Sequence, residues 1–443
     1  MRDSVVQSGA IPVQDSDAIS ETSTTRLEHE PFETLRHRAV ELVAKILGRH
    51  PSRIEAQRLK GGTFNRVISL TYVPLRRKKF TSQWVKAQFC GLFGRTKEPK
   101  PQSYVLRMPW HENDELKRDV AVLNAVGSRL ALPVPEVITF DASDDNVVRR
   151  QFMLQKRLRG DNLAHTPMLE NLNTAQRKSL AKAVIEMVTH IASVTGPPGN
   201  LSVDNLNLGK RGKVQVEKLC VPRRDQEDRD IFDHPCTWPA QEQKPLDHLL
   251  EQCERWREFQ NAEGFCTEAV WSGFAAISKA LEKRGFLDGP NVLSHGDLKP
   301  YNLLAETRSE TEVEITGVLD WDSAAIAPEF MAYRAPFWLW TPEDVNSVHE
   351  DDEENANIEP DNAEHRELKD LFLAHASEKF KLFAFAPEAM LARRMYFILK
   401  EGIFGPWNMM EANKVIEEWN ELHPEDGVVI DVDFSDDGSV ESE

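Results

Sequence analysis

The sequence predicts an α+β fold in two lobes, a small β-rich N-terminal lobe and a larger, mainly helical C-terminal one. Three observations carry this. The chain has 443 residues, more than one average domain. Short apolar or β-branched runs, Val67–Tyr72, Tyr104–Met108, Leu132–Ile138 and Gln151–Gln155, crowd the first third with one helix among them. From about Asn162 the apolar spacing changes to the three-and-four repeat of helices. A hydrophobic content of 40% with ten Trp supplies material for a real core.

The N-terminal lobe is expected over 34–155. Residues 1–33, rich in Ser, Thr, Asp and Glu, predict a disordered acidic tail. Leu35, Ala39, Leu42, Val43, Ile46 and Leu47 then form one helical face, which Gly48 is placed to end. The turn Gly61-Gly62-Thr63 leads into the strand from Val67. A basic insertion over 74–103 holds eight Lys or Arg against one Glu, interleaved with Phe80, Trp84, Phe89 and Phe93. It reads as a solvated loop with a short helix packed on the lobe, and no nucleic-acid partner is expected. After the strand at Tyr104 comes a helix through Leu116, Val120, Leu123 and Val126, then the strands 132–138 and 151–155.

The C-terminal lobe is expected over 156–422. Leu180, Val184, Met187, Val188 and Ile191 share one helical face, stopped by Gly196-Pro197-Pro198. A second helix starts at a Thr267 cap, turns Val270, Phe274, Ile277 and Leu281 inward, and ends near Gly285. A loop and the strand Val313–Leu319 follow, and further helices lie around 388–400 and 411–422. The region 200–265 and the stretch after 330 carry no interpretable motif, and no internal repeat is present.

The net charge of -18 is localised. Residues 1–33 contribute -5, and 350–364 and 425–443 contribute eight acids each with no base, so the remainder is close to neutral. This describes solvated segments, namely the first tail, an acidic loop at 350–364 and a second disordered tail over 423–443. Five cysteines without a Cys-x-x-Cys pair read as reduced thiols in a cytoplasmic protein. No apolar run is long enough to span a membrane, and the residues after Met1 do not resemble a signal peptide.

The chemistry is concentrated between Val292 and Asp322. His295-Gly-Asp297-Leu-Lys299-Pro-Tyr-Asn302 lies between two apolar runs, and Val318-Leu-Asp320-Trp-Asp322 follows at the end of another strand. Phosphoryl transfer from a nucleotide needs a carboxylate to receive the acceptor's proton, and hard oxygen donors to hold magnesium on the phosphates. Asp297 fits the first role; Asn302 and Asp320 fit the second. His295 fits a backbone brace. Lys299 is either a phosphoryl contact or an exposed lysine, and Asp322 either a further metal contact or a turn residue. Gly61, Gly62 and Thr63 form a plausible phosphate cover. Arg107, with Asp119 in the following helix, offers a basic–acidic pair, although Arg and Lys are not interchangeable at such a site.

These residues resemble the aminoglycoside phosphotransferase family of the protein-kinase-like superfamily, especially its fungal members. The likeness rests on Leu59-Lys-Gly-Gly-Thr-Phe-Asn65, Tyr104-Val-Leu-Arg-Met-Pro109, Lys117–Leu123, Leu132–Val137, Phe152-Met-Leu154 with Gly160, Ser294–Asn302, Val318–Asp322 and Ile326–Glu329. The resemblance implies a bilobal protein-kinase-like fold. It also implies an enzyme using ATP and Mg2+ to phosphorylate a hydroxyl of a small molecule. Leu154, Gln155 and Lys156 would then form the hinge near the nucleotide base. Arg107 and Asp119 depart from the usual Lys and Glu. That departure keeps open a non-catalytic nucleotide-binding scaffold; a protein Ser/Thr kinase is the other alternative.

Overall fold

The computed structural model describes residues 30–59, 65–74, 100–109, 115–164, 166, 168–208, 212–221, 238–341 and 350–428, save the side chains of 350–352. They form two compact units, one within 1–112 and 138–157, the other within 113–137 and 158–443.

Unit 1 begins with helix α1 (Phe32–Leu47), whose Leu35, Ala39, Leu42 and Val43 are buried. Their spacing makes one apolar stripe. Gly48, at φ 59, closes the helix. The stripe covers a sheet of β1 (Ile54–Arg58), β2 (Asn65–Tyr72), β3 (Gln102–Pro109), β4 (Val137–Asp141) and β5 (Phe152–Lys156), in the order β1-β2-β3-β5-β4. Ile68, Leu70, Leu106, Met108, Phe152 and Leu154 meet α1 in one core.

The strand expected over 132–138 begins only at Val137. Pro133 and Pro135 have no N–H to give to a ladder, so the segment before Val137 runs unpaired as a strand. Residues 75–99 of the basic insertion, and the Gly61–Thr63 turn, lie outside the described residues, as do 1–29 and 429–443 of the two tails.

Helix α2 (Glu115–Arg129) packs in unit 2, although the sequence reading grouped it with the small lobe. Leu116, Val120, Leu123 and Val126 are buried as their spacing predicts. Asn124 also donates from Nδ2 to the Leu206 carbonyl at 2.8 Å. Helix α3 (Thr174–Ile191) follows the Asn173 cap, where the Asn173 and Gln176 side chains each satisfy the other's backbone N–H at 3.0 Å. Helix α4 (Pro245–Glu263) lies in the stretch that carried no motif.

Helix α5 (Glu268–Lys283) buries Val270, Phe274, Ile277 and Leu281. Its expected cap, Thr267, points elsewhere: the hydroxyl donates to Gln260 Oε1 at 2.8 Å. Trp256 of α4 stacks on Trp271 of α5 with ring centroids 6.0 Å apart, and its indole N–H binds the Leu399 carbonyl at 2.8 Å. Helices α6 (Ala363–His375), α7 (Glu378–Phe385), α8 (Pro387–Glu401) and α9 (Pro406–Leu422) complete the unit.

The acidic segment 350–364 is not wholly solvated. Glu353 is 6% exposed, with Arg393 Nε at 2.7 Å and Arg334 on its other oxygen. Arg393 also donates to the carbonyls of Phe330 and Phe383, so one acid of the run is an internal tie.

Two small sheets sit among these helices. One has the order β8-β7-β12-β9, from β7 (Gly199–Leu201), β8 (Val216–Glu217), β9 (Asn291–Ser294) and β12 (Ala325–Pro328). The other has the order β11-β10-β6, from β6 (Asp161–Asn162), β10 (Leu303–Thr307) and β11 (Val313–Val318). Among the described residues no helix is long and apolar enough to cross a membrane.

Candidate active site

The loop 295–302 joins β9 to β10, and the loop 319–324 joins β11 to β12. Antiparallel register pairs Ser294 with Ala325 and Leu303 with Val318. Both ends of the first loop are therefore fastened to both ends of the second. Apolar residues fix this arrangement: Val292, Leu293, Leu303, Val318 and Ile326 are all buried.

His295 is the brace between the loops. Its Nε2 lies 2.8 Å from the Leu319 carbonyl, and its Nδ1 accepts from the Asp297 amide at 3.3 Å. The ring also packs 4.5 Å from Trp321. Burial, which outweighs the Leu319 carbonyl and the nearby Asp297 and Asp322, lowers its pKa. A neutral imidazole, donating at Nε2 and accepting at Nδ1, satisfies both bonds.

Gly296 follows with φ 82; a Cβ there would stand 2.7 Å from both the Cβ and the carbonyl oxygen of Ser323. Only glycine combines that backbone with that closeness.

Asp297 is the centre of the cluster. Asn302 Nδ2 donates to the Asp297 carboxylate at 3.0 Å and to its carbonyl at 2.8 Å. Lys299 Nζ stands 3.2 Å from Oδ1. The Tyr301 hydroxyl donates to the pair of oxygens at 3.3 and 3.4 Å. For Lys299, burial alone would lower the pKa, but Asp297 and Tyr301 together outweigh it and the net direction is upward. This lysine, 15% exposed, is thus a charged partner of Asp297 rather than a solvated loop residue.

Asn302 is 4% exposed. Its amide hydrogens are directed at Asp297, which orients Oδ1 away from that carboxylate. The Asn302 carbonyl accepts from the Leu319 amide at 2.8 Å, and Asp320 is the next residue. Asp320 is exposed, with φ 60 and ψ 60, a left-handed conformation that few non-glycine residues adopt. Asp322 is half-buried in the 3-10 turn Trp321–Ser323.

Of the sequence candidates, Asp297, Lys299 and Asn302 thus share direct side-chain contacts, with Asp320 in the apposed loop. Arg107, Leu154, Gln155 and Lys156 stand on adjacent strands of unit 1, where Arg107 pairs with Met153 and Val67, and Gln155 with Val105. Leu154 is fully buried, Gln155 is 7% exposed and Lys156 is exposed. Asp119 is half-buried on α2, in unit 2. Gly61, Gly62 and Thr63 lie outside the described residues.

Two participants were not anticipated. Tyr301 was passed over inside the motif, although a hydroxyl four residues from Asp297 on a tight turn was a usable signal. Asn162, whose Nδ2 holds the Tyr301 carbonyl at 2.6 Å, gave no signal, because it comes from 139 residues upstream.

The family model described as the phosphotransferase enzyme family matches residues 95–333, more than half of the sequence, and the chain belongs to that family. No curated protein matches it in sequence. Among solved structures it is similar to aminoglycoside phosphotransferase APH(4)-Ia, at 13% identity over 86% of this chain and 98% of that one, with a TM-score of 0.43. It is also similar to the GDP and kanamycin complex of APH(2")-IIia, at 14% identity over 88% and 98%, with a TM-score of 0.39.

Proposed function

We propose that this phosphotransferase moves the γ-phosphoryl group of ATP, with magnesium, to a hydroxyl of a small molecule. The observation that carries the proposal is the clustering of Asp297, Asn302 and Lys299, with Asp320 apposed. Asp297 receives the proton of the attacking hydroxyl, and the Asn302 amide fixes the carboxylate in place. The acceptor oxygen forms its bond to the γ-phosphorus as the β–γ bridging bond breaks, and ADP leaves with the electron pair. Positioning and charge neutralisation account for most of the rate.

The donor set suits magnesium, which takes one or two carboxylates together with phosphate oxygens and water. Asn302 Oδ1 and the exposed Asp320 carboxylate would hold it. When bound it neutralises phosphate charge. In unit 1, Arg107 and the Leu154–Lys156 segment are the proposed nucleotide contacts, and Gly61, Gly62 and Thr63 are proposed with them. Asp119, on α2 of unit 2, belongs to the same proposed nucleotide-binding set.

The test is phosphate transfer from labelled ATP across pooled hydroxyl metabolites. Asp297→Asn is expected to lower transfer about a hundredfold to ten-thousandfold, the usual worth of a positioned base, in a protein that still unfolds in one cooperative transition. Transfer at the wild-type rate in that variant contradicts the assignment.

A further inference from the structure

Asp297 offers two carboxylate oxygens, and the loop gives each one a fixed donor: Lys299 Nζ at 3.2 Å from Oδ1 and Asn302 Nδ2 at 3.0 Å from Oδ2. Tyr301 is the third donor, and its geometry differs. Its hydroxyl lies 3.3 Å from one oxygen and 3.4 Å from the other, longer than the 2.5–3.0 Å usual between oxygens. The same hydroxyl also meets the Lys299 side chain, so it lies within the donor cluster around the carboxylate.

Its backbone is held tightly. Pro300–Asn302 form a 3-10 turn, the Asn302 amide binds the Lys299 carbonyl at 2.9 Å, and Asn162 binds the Tyr301 carbonyl at 2.6 Å. The ring itself is half-buried, so rotation about χ1 moves the hydroxyl without moving the loop.

A general base must come within about 2.6–3.2 Å of the hydroxyl it deprotonates. The Tyr301 hydroxyl is an O–H group already aimed at that carboxylate, just beyond this range.

We infer that Tyr301 is a placeholder for the acceptor: its hydroxyl occupies the acceptor position on Asp297 until an acceptor displaces it, and so keeps water from being activated there. The inference rests on Asp297 being the base of the phosphotransferase. The suppressed reaction is hydrolysis. Water oxygen bonds to the γ-phosphorus, its proton passes to Asp297, the β–γ bridging bond breaks, and ADP and inorganic phosphate leave.

Lys299 Nζ lies 5.8 Å from the centroid of the Tyr301 ring, a contact that phenylalanine retains.

The experiment is ATP hydrolysis without any acceptor, so that no substrate need be known. Wild type, Tyr301→Phe, Asp297→Asn and the double variant are compared, with ATP binding followed by thermal shift. Tyr301→Phe is expected to hydrolyse ATP on the order of threefold to tenfold faster than wild type, the worth of one hydrogen bond. The double variant should fall to the Asp297→Asn rate.

A Tyr301→Phe rate at or below wild type, with ATP still bound, overturns the placeholder while leaving the phosphotransferase reading to the acceptor screen. A rise that survives Asp297→Asn also overturns it, because the released hydrolysis would not use that base. Absence of ATP binding in wild type overturns both.

Discussion

Glu217 should make the larger unit lose stability between mildly acidic and neutral pH. The residue ends β8, paired with Asn200 of β7, and is 5% exposed. Burial is the main influence on its carboxyl and raises the pKa from 4.5 to about 7, with Asp204 adding to the rise and Arg118 and Ser202 opposing it. Folded protein keeps this proton between pH 4.5 and 7, where the unfolded chain has released it. The stabilisation is complete below pH 4.5 and disappears as pH rises through 7. At 1.36 kcal/mol per pH unit, the interval corresponds to about 3 kcal/mol. Glu217→Gln keeps the shape and removes the titration. Urea unfolding read through the tryptophans should show the variant nearly equal to wild type at pH 4.5 and more stable by about 3 kcal/mol at pH 8. His248 titrates in an overlapping range with the opposite sense. Its burial lowers the pKa to about 4, so its contribution falls away as pH drops below 6.5. Comparing variant with wild type at each pH cancels that part. A difference that does not change between pH 4.5 and 8, or a variant less stable than wild type at pH 8, refutes the reasoning.

Two further substitutions probe the loop and the acidic segment. Gly296→Ala forces a side chain onto φ 82 and against Ser323; strain of about 1–3 kcal/mol is expected, together with a fall in kcat as the Asp297–Asn302 bonds lengthen. An unchanged kcat would show that the backbone there tolerates displacement. Glu353→Ala leaves the buried Arg393 without its acid and should cost about 3–5 kcal/mol in chemical denaturation. The exposed neighbour Glu354→Ala should stay within about 0.5 kcal/mol. Equal effects at the two positions would mean that the 350–357 segment has no internal tie.

What the sequence disclosed and what it hid differ by a physical criterion. α1 and α5 were legible because their buried faces are almost purely apolar at helical spacing. The 19-residue α4 was not. It buries His248, Gln252 and Gln260 along with Leu249, Trp256 and Phe259, and the polar members blunt the periodicity. They are tolerated inside because Gln252 and Gln260 hand their amide hydrogens to the carbonyls of Leu399 and Ile403, at 2.9 and 2.5 Å. Such a helix is specified by distant backbone rather than by its own pattern. Glu353 was misjudged for the same reason, since an acid among eight reads as solvent-facing until Arg393, 40 residues on, is seen beneath it.

The same criterion separates the parts of the site. Asp297, Lys299 and Asn302 were legible because the bonds joining them close within six residues, so spacing alone constrains their geometry. Asp320 was legible as a type of residue at the end of a strand, yet not as a left-handed one. That conformation comes from the meeting of two loops, set when Leu303 registers with Val318 and His295 reaches the Leu319 carbonyl. The dependence has a consequence for inactive variants. Loss of the His295 bond to Leu319 would release the Asp320 turn while sparing the contacts within 297–302, whereas loss of Asn302 would spare the turn and free the Asp297 carboxylate. Two substitutions in one motif should therefore fail in different ways, the first in magnesium dependence alone and the second both in magnesium dependence, through the lost Asn302 oxygen, and in the rate at saturating magnesium. Identical defects in both would mean that the two loops act as one rigid piece.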